Sequence, residues 1–570
     1  MTFLVSPALT TKDLLVSESF DCEDAFGHGA FQKRLILLCA LGAFLANSHA
    51  LAFSLISRSV DYRCNLPSPQ PNVSAIAAEE AEQLGRCLVY EYLEEGNVSR
   101  TVPCREWEYD EERARTTVVS AWNLVCQRKV LIAGVSVVQN AGSAVFGLAA
   151  GYLADSIGRA PVLVAAALVL LVSATASCLS RDYVTHAALK FFSAGSSTLT
   201  LIFSAVSLFE VTTHSNRPLH VAVSGTLGLL ASDAWYFCML QLGLRWELKL
   251  AVFILPSLAL LPAYLTVYES PRWLIASGQY HRAEGVVLAA ANANHFPLPS
   301  AACLLDRVKA DMNRTSDRRA TIVDALLSGF SIRQRALIMC GSFFSKAFAL
   351  YVTVYTKEHR STAWQPYSAI FFNFAGYATM HLLIRKVTML TLIVTLFAAL
   401  CVVQCLFIFN VAAGESGAVT ETLTEVQIAL YYIGGIVCFV YVLELFPTAL
   451  RATAIGWAFA CGRLGAVFAL LSVALKNVGH ENLALIAAEF FLFVSLLTLS
   501  RLPPATSIEC TKMASRRCSR EGKQNIERMK NTLVAARVEV GSKKSKSGTE
   551  SSKTSSSARS NRSRRAKAKQ

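Results

Sequence analysis

The sequence predicts an all-α membrane protein built from two six-helix bundles related by a pseudo-two-fold axis. Three observations carry that prediction. Of the 570 residues, 53% are hydrophobic and the mean hydropathy is positive, which is unusual for a soluble chain. Apolar runs recur that are each long enough to cross a bilayer, which takes roughly 20 residues at about 1.5 Å of rise each. One long basic segment, residues 269–335, separates six such runs from six more, so the second half repeats the plan of the first.

The elements follow in order. Residues 1–33 form an N-terminal segment with Asp13, Glu18, Asp21, Glu23 and Asp24, the wrong charge for a cleavable signal peptide. The first span then targets the chain itself. The N-terminal bundle is residues 34–268. Its first span, Leu35 to about Ser57, contains Asn47, Ser48 and His49. Polar groups are costly in hydrocarbon, so these face the bundle interior. His49 reads equally as a core histidine bonded to a neighbour or as a ligand.

Residues 59–129 form a polar loop with Cys64, Cys87, Cys104 and Cys126. Four cysteines in such a segment imply two disulfides in an oxidising compartment, with three pairings open. The sequons at Asn72 and Asn97 agree with an extracellular, glycosylated loop. Those at Asn313 and Asn561 fall on segments expected inside and read as chance.

Five further spans are read at Val130–Leu153, Pro161–Leu179, Val184–Phe209, Leu219–Leu242 and Leu248–Tyr268. Lys190 lies near the outer end of the fourth, Asp233 in the fifth, and Pro256 and Pro262 in the sixth. The central loop, 269–335, is rich in Arg and Lys, from Arg272 and Arg282 to Arg333 and Arg335. By the positive-inside rule it is cytoplasmic, so both termini are cytoplasmic and the span count is even. The C-terminal bundle, 336–501, has spans at Ala336–Tyr355, Trp364–Leu383, Val387–Phe409, Val426–Phe446, Ala452–Leu475 and Asn482–Leu499. The tail, 502–570, holds 18 Lys or Arg against 5 Glu, so it accounts for 13 of the 14 net positive charges. Its Ser/Lys/Arg low complexity predicts disorder. Its expected partner is anionic lipid or a cytoplasmic protein rather than nucleic acid.

The chemistry concentrates at the turn between the second and third spans, Gly151-Tyr-Leu-Ala-Asp-Ser-Ile-Gly-Arg159. An acid, a flexible turn and a guanidinium there suit a latch that binds carboxylates and helix-terminal carbonyls. This stretch resembles the signature loop of the major facilitator superfamily. Glu269-Ser-Pro-Arg-Trp-Leu-Ile and Glu444-Leu-Phe-Pro-Thr-Ala-Leu-Arg451 resemble its sugar-transporter-like branch. Ala121-Trp-Asn-Leu-Val-Cys126, with the cysteine-bearing loop it closes, is similar to organic cation, carnitine and organic anion transporters.

The resemblance implies a plasma-membrane carrier of small organic ions that works by alternating access. Asp155 and Arg159 would latch the inner gate, with Glu210, Glu269, Arg272, Glu444 and Arg451 as charged partners. Arg463, deep in the eleventh span, stands at a position that is basic in anion and carnitine transporters. That favours an organic anion or a zwitterion such as carnitine over an organic cation. Asp233 either pairs with Arg463 or binds a cation. Lys346, Tyr351, Phe371 and Tyr377 complete the expected substrate site, with Trp235, Tyr236, Tyr355, Tyr367 and Phe372 as further aromatic wall residues. Glu489 has no assigned role.

Some features depart from the pattern. Ala160 replaces a second basic residue, and the matching loop of the second half is reduced to Arg385-Lys386. These motivate a rival reading as a non-transporting scaffold or receptor. A neutral-sugar carrier is the other rival, and the charges Arg463 and Asp233 argue against it. No phosphate-binding Gly-x-x-x-x-Gly-Lys-Ser/Thr loop, His-Glu-x-x-His or paired Cys-x-x-Cys occurs. Enzyme activity, a cofactor and a metal site are therefore not expected.

Overall fold

The structure, a computed structural model, describes residues 29–65, 86–92, 99–110, 114–213, 216–295, 330–356, 365–413, 417–446, 448–474 and 482–502. The sequons at Asn72, Asn97, Asn313 and Asn561, the acidic N-terminal stretch and the basic tail lie outside these residues.

Among the described residues, twelve long helices form the body. They are α1 (Ala30–Ile56), α2 (Val130–Ile157), α3 (Arg159–Cys178), α4 (Tyr183–Glu210), α5 (Arg217–Gln241) and α6 (Trp246–Tyr264), then α7 (Phe330–Thr356), α8 (Gln365–Leu383), α9 (Met389–Ala412), α10 (Ala418–Leu445), α11 (Arg451–Ala474) and α12 (Leu483–Leu499). Ten are long and apolar enough to cross a membrane, and α8 and α12 add shorter apolar stretches. The protein is a multi-pass membrane protein with six long helices on either side of the central loop.

Local signals set several helix ends. Asp182 caps α4, its carboxylate accepting from the Thr185 amide at 2.8 Å. That backbone bond and the Thr185 hydroxyl hold the Asp182 carboxyl below the usual range. Thr388 caps α9 in the same way. Pro218 stands in the first turn of α5, where its missing N–H costs nothing. Gly158 joins α2 to α3 with φ +109° and ψ 162°, a conformation open essentially to glycine alone.

Some boundaries differ from hydropathy. Helix α1 begins at Ala30 and takes in Lys33 and Arg34, and α7 begins at Phe330 rather than Ala336. Helix α10 starts at Ala418 and carries Thr420, Glu421, Thr424 and Glu425. Helices run on past the hydrocarbon edge because their backbone bonds do not depend on apolar side chains. In the sixth span, residues Leu255–Ala259 tighten to a 3-10 turn around Pro256, as expected where proline removes a helix hydrogen bond. The central loop also contains two helices, Pro271–Ala276 and Tyr280–Ala293. Trp273, Leu274, Ile275, Val286, Val287 and Ala290 join the main apolar core.

The loop between α1 and α2 folds into two small antiparallel pairs. Strand β1 (Tyr62–Cys64) pairs with β4 (Trp107–Tyr109), and β2 (Leu88–Tyr92) with β3 (Ser99–Pro103). The structure joins Cys64 to Cys104 and Cys87 to Cys126, one of the three pairings the sequence left open. The end of this loop docks on the bundle through Trp122, which packs edge-on against Trp246 at 5.6 Å.

The two halves meet most closely along α2 and α11, where small residues allow backbone approach, as is common between membrane helices. A methyl added at Gly151 would stand 2.8 Å from the Ala452 carbonyl oxygen, and one at Gly147 would stand 3.1 Å from that of Gly456.

Candidate functional site

The turn at Gly158 places Arg159 in the first turn of α3, where it is fully buried. Its guanidinium donates to Asp155 Oδ1 at 2.9 Å, to Glu210 Oε1 at 3.3 Å and to the Ala154 carbonyl at 3.1 Å. It also crosses to the second half and donates to the Thr448 carbonyl at 2.7 Å. Arg451 reaches back and donates to Glu210 Oε1 at 2.8 Å, holding the Leu443 carbonyl at 2.9 Å as well. The other carboxylate oxygen of Asp155 accepts from the amide and hydroxyl of Thr453 at 2.9 and 2.7 Å. These bonds tie the N-terminal half to the C-terminal half at one face.

Two expected partners have different tasks. Glu269 is not paired with a side-chain cation of the latch. It accepts from the amides of Arg159 and Ala160 at 2.9 and 3.0 Å, so it caps α3, where unpaired amides and the helix dipole favour a carboxylate. Arg272 donates to the Glu210 carbonyl at 3.1 Å and thereby braces α4. Glu444 stands in the last turn of α10, and none of the Arg159 bonds reaches it. Thr448 and Thr453 carry no charge signal in the sequence, because they act through neutral hydroxyl, amide and carbonyl groups. Their position flanking Arg451 in Thr448-Ala-Leu-Arg-Ala-Thr453 was the available hint. In the second half, Arg385 and Lys386 are exposed, so that turn holds no counterpart of this buried network.

The second constellation lies between the halves. Arg463 of α11 donates to Asn140 Oδ1 of α2 at 3.4 Å. Lys346 of α7 is 4% exposed and sits over the rings of Tyr431 and Phe343 at 4.7 and 5.1 Å, and Gly462, the neighbour of Arg463, packs against Phe343. Among the described residues neither cation has a carboxylate at ion-pair distance. Asp233 does not pair with Arg463. Its carboxylate accepts from Asn47 at 3.1 Å and from Asn373 of α8 at 3.3 Å. Tyr431, whose ring lies under Lys346, packs edge-on against Tyr432 at 5.6 Å.

Tyr377 is buried, and its hydroxyl has no hydrogen-bond partner among the described residues. Phe371 does not join this group. It is 66% exposed and stands two residues from Asn373, about 200° around a helix of 3.6 residues per turn. Trp235 and Tyr236 serve packing, donating to the Phe253 carbonyl at 3.1 Å and bonding the Ser54 hydroxyl at 3.3 Å. The side chains of Tyr355 and Tyr367 lie outside the described set, and Phe372 packs edge-on against Phe371 at 5.7 Å. Glu489 faces the Cys401 and Cys405 thiols of α9. The sequence marks Asn47 as an interior polar group, while Asn140 and Asn373 go unmarked there although an amide inside an apolar run is itself a polar signal.

Comparison with known proteins agrees with this geometry. Solute carrier family 22 member 7 of Pongo abelii is 27% identical over 535 residues, covering 84% of this chain and 94% of that protein. The organic cation transporter protein of Drosophila melanogaster is 26% identical over 350 residues, 57% of this chain and 62% of its own. A beta-alanine transporter of the same species is 30% identical over 244 residues, 42% and 37% respectively. Among solved structures, the proton:xylose symporter XylE bound to 6-bromo-6-deoxy-D-glucose superposes with a TM-score of 0.62 at 16% identity, covering 84% of this chain and 97% of that one. The profile described as "Sugar (and other) transporter" matches residues 90–513. The chain belongs to the sugar (and other) transporter family of the major facilitator superfamily, and it is a transporter rather than an enzyme.

Proposed function

We propose that this protein carries small organic ions bearing a carboxylate, as anions or zwitterions, across the plasma membrane by alternating access. One observation carries the substrate class. Arg463 and Lys346 stand together between the halves, and no described carboxylate neutralises them. Two cations in a membrane interior call for an anionic ligand. Asp233, held by amides rather than by a cation, offers the complementary end for a positive group. Similarity to a beta-alanine transporter, whose named solute carries both charges, supports the zwitterion. A neutral sugar leaves both cations without a counter-charge, and the intact latch at Arg159 speaks against an inert scaffold. The basic central loop and tail support cytoplasmic termini, with the cysteine-bearing loop outside and open to glycosylation. The tail lies against anionic lipid or a cytoplasmic partner.

Uptake of labelled anions, zwitterions and cations into proteoliposomes tests the reading. Saturable flux of a carboxylate-bearing solute is expected, falling at least tenfold in Arg463→Gln, about 1.4 kcal/mol of lost binding. Flux of organic cations alone, untouched by Arg463→Gln, would refute the substrate class. No flux across the whole panel would refute transport.

A further inference from the structure

The core of the N-terminal bundle holds a second cationic group apart from Arg463 and Lys346. Lys190, two turns into α4, is 1% exposed. Among the described residues its ammonium makes no hydrogen bond and no ion pair. His186 stands one turn before it on α4. Phe53, one turn after His49 on α1, packs on the His186 ring at 5.8 Å, so His49 lies on the side of α1 that faces this turn of α4. His49 and His186 are 2% and 0% exposed. His186 Nδ1 is bonded to Ser180 Oγ at 2.9 Å, and that hydroxyl donates to the Ser177 carbonyl at 2.8 Å. The proton on that edge therefore belongs to Nδ1, and Nε2 is left as an acceptor. His49 Nε2 is bonded to Ser257 Oγ of α6 at 2.9 Å. The remaining nitrogens, His49 Nδ1 and His186 Nε2, are buried without partners. Buried polar atoms are ordinarily satisfied, and a buried charge is ordinarily paired.

We propose that Lys190, His49 and His186 form a buried site for a monovalent inorganic anion of chloride size. The anion supplies the counter-charge that the protein withholds. It accepts from Lys190 Nζ and from His49 Nδ1–H, while the Ser257 hydroxyl donates to His49 Nε2. In that arrangement the ammonium turns a further N–H toward His186 Nε2, which has no partner among the described residues. One ammonium calls for one negative charge, and a bridging water would leave that charge uncompensated. The walls favour a small ion over an organic carboxylate, because Trp122 and Phe53 pack on the His186 ring at 5.2 and 5.8 Å. The Cys178 thiol of α3 is the other titratable group in range of Lys190.

The test is the melting temperature of the full-length protein in nanodiscs as chloride replaces gluconate at constant ionic strength. It is run in the Arg463→Gln background, so that the cavity between the halves does not respond to the organic anion. A ligand that binds only the folded state raises stability with its concentration. The expected rise is about 2 °C per tenfold chloride above its Kd. Lys190→Met, which fills the same space with an apolar chain, should abolish the dependence. A melting temperature indifferent to chloride, or a dependence that survives Lys190→Met, overturns the site. Should Lys190→Met fail to fold, crystals grown in bromide decide the matter. An anomalous peak beside Lys190 Nζ supports the site, and a water there overturns it. A loss of organic-ion flux in Arg463→Gln leaves this outcome unchanged, so the two sites are judged separately.

Discussion

Glu210 joins the two halves at one face. It is fully buried and accepts from Arg159 and Arg451, one from each half. Removing one member of a buried ion pair typically costs about 3–5 kcal/mol, because the remaining charge is left uncompensated. Here the cost falls on the conformation in which the halves are tied at this face. Glu210→Gln is therefore expected to shift the population toward the state open at that face. A shift of about 3 kcal/mol is more than a hundredfold. Cysteine-accessibility labelling at positions lining α2 and α11 measures it, and unchanged labelling would show that the network is static. Asp155 answers differently, because its partners on α11 are the Thr453 amide and hydroxyl. Asp155→Asn keeps one acceptor oxygen, so a smaller shift in labelling is expected than for Glu210→Gln.

At the scale of elements, the junction of α2 and α3 is fixed by backbone conformation. Gly158 occupies φ +109°, and a Cβ there would collide with the Glu269 carboxylate that caps α3. Gly158→Ala pays for strain of about 1–3 kcal/mol and loses part of the cap. A melting temperature lower by several degrees is expected, and an unchanged one would mean that the turn relaxes freely. The outer loop is set by its cross-links. Cys64–Cys104 and Cys87–Cys126 close segments with sequence separations of 40 and 39. Each is worth about 3–4 kcal/mol in the chain-entropy account. Peptide mapping without reduction should recover these two pairs, and recovery of Cys64 joined to Cys87 would refute the arrangement.

For the whole molecule, the side-chain bonds between the halves described here run from Asp233–Asn373 and Arg463–Asn140 to the network at Arg159. Alternating access requires the inner set to break. Asp155 and Thr453 stand in side-chain contact across the halves, so the double variant Asp155→Cys, Thr453→Cys should form a cross-link under mild oxidation. Uptake is expected to stop when the link forms and to recover on reduction relative to the same variant left reduced. Continued flux through the cross-linked protein would mean that the halves do not separate at this face.

The sequence by itself determined the membrane class, the six-and-six division and the identity of the charged residues. Those follow from burial cost, which is written in composition: twenty apolar residues have few other uses, and a charge within them needs a partner. Its resemblance to a known family also grouped Asp155 and Arg159 with Glu210, Glu269, Arg272, Glu444 and Arg451, and of these the structure ties Asp155, Arg159, Glu210 and Arg451 into one hydrogen-bonded network. What it left open was which charge meets which. Asp233 was as good a partner for Arg463 as any until the helices were assembled, and it is held by Asn47 and Asn373 instead. Glu269 carries the same charge as Glu210, yet one caps a helix and the other bridges two arginines. Phe371 and Tyr377 look alike in an apolar run, yet one is two-thirds exposed and the other buried. Only the tertiary structure decided these, because pairing depends on helix rotation and on contacts hundreds of residues apart in the chain.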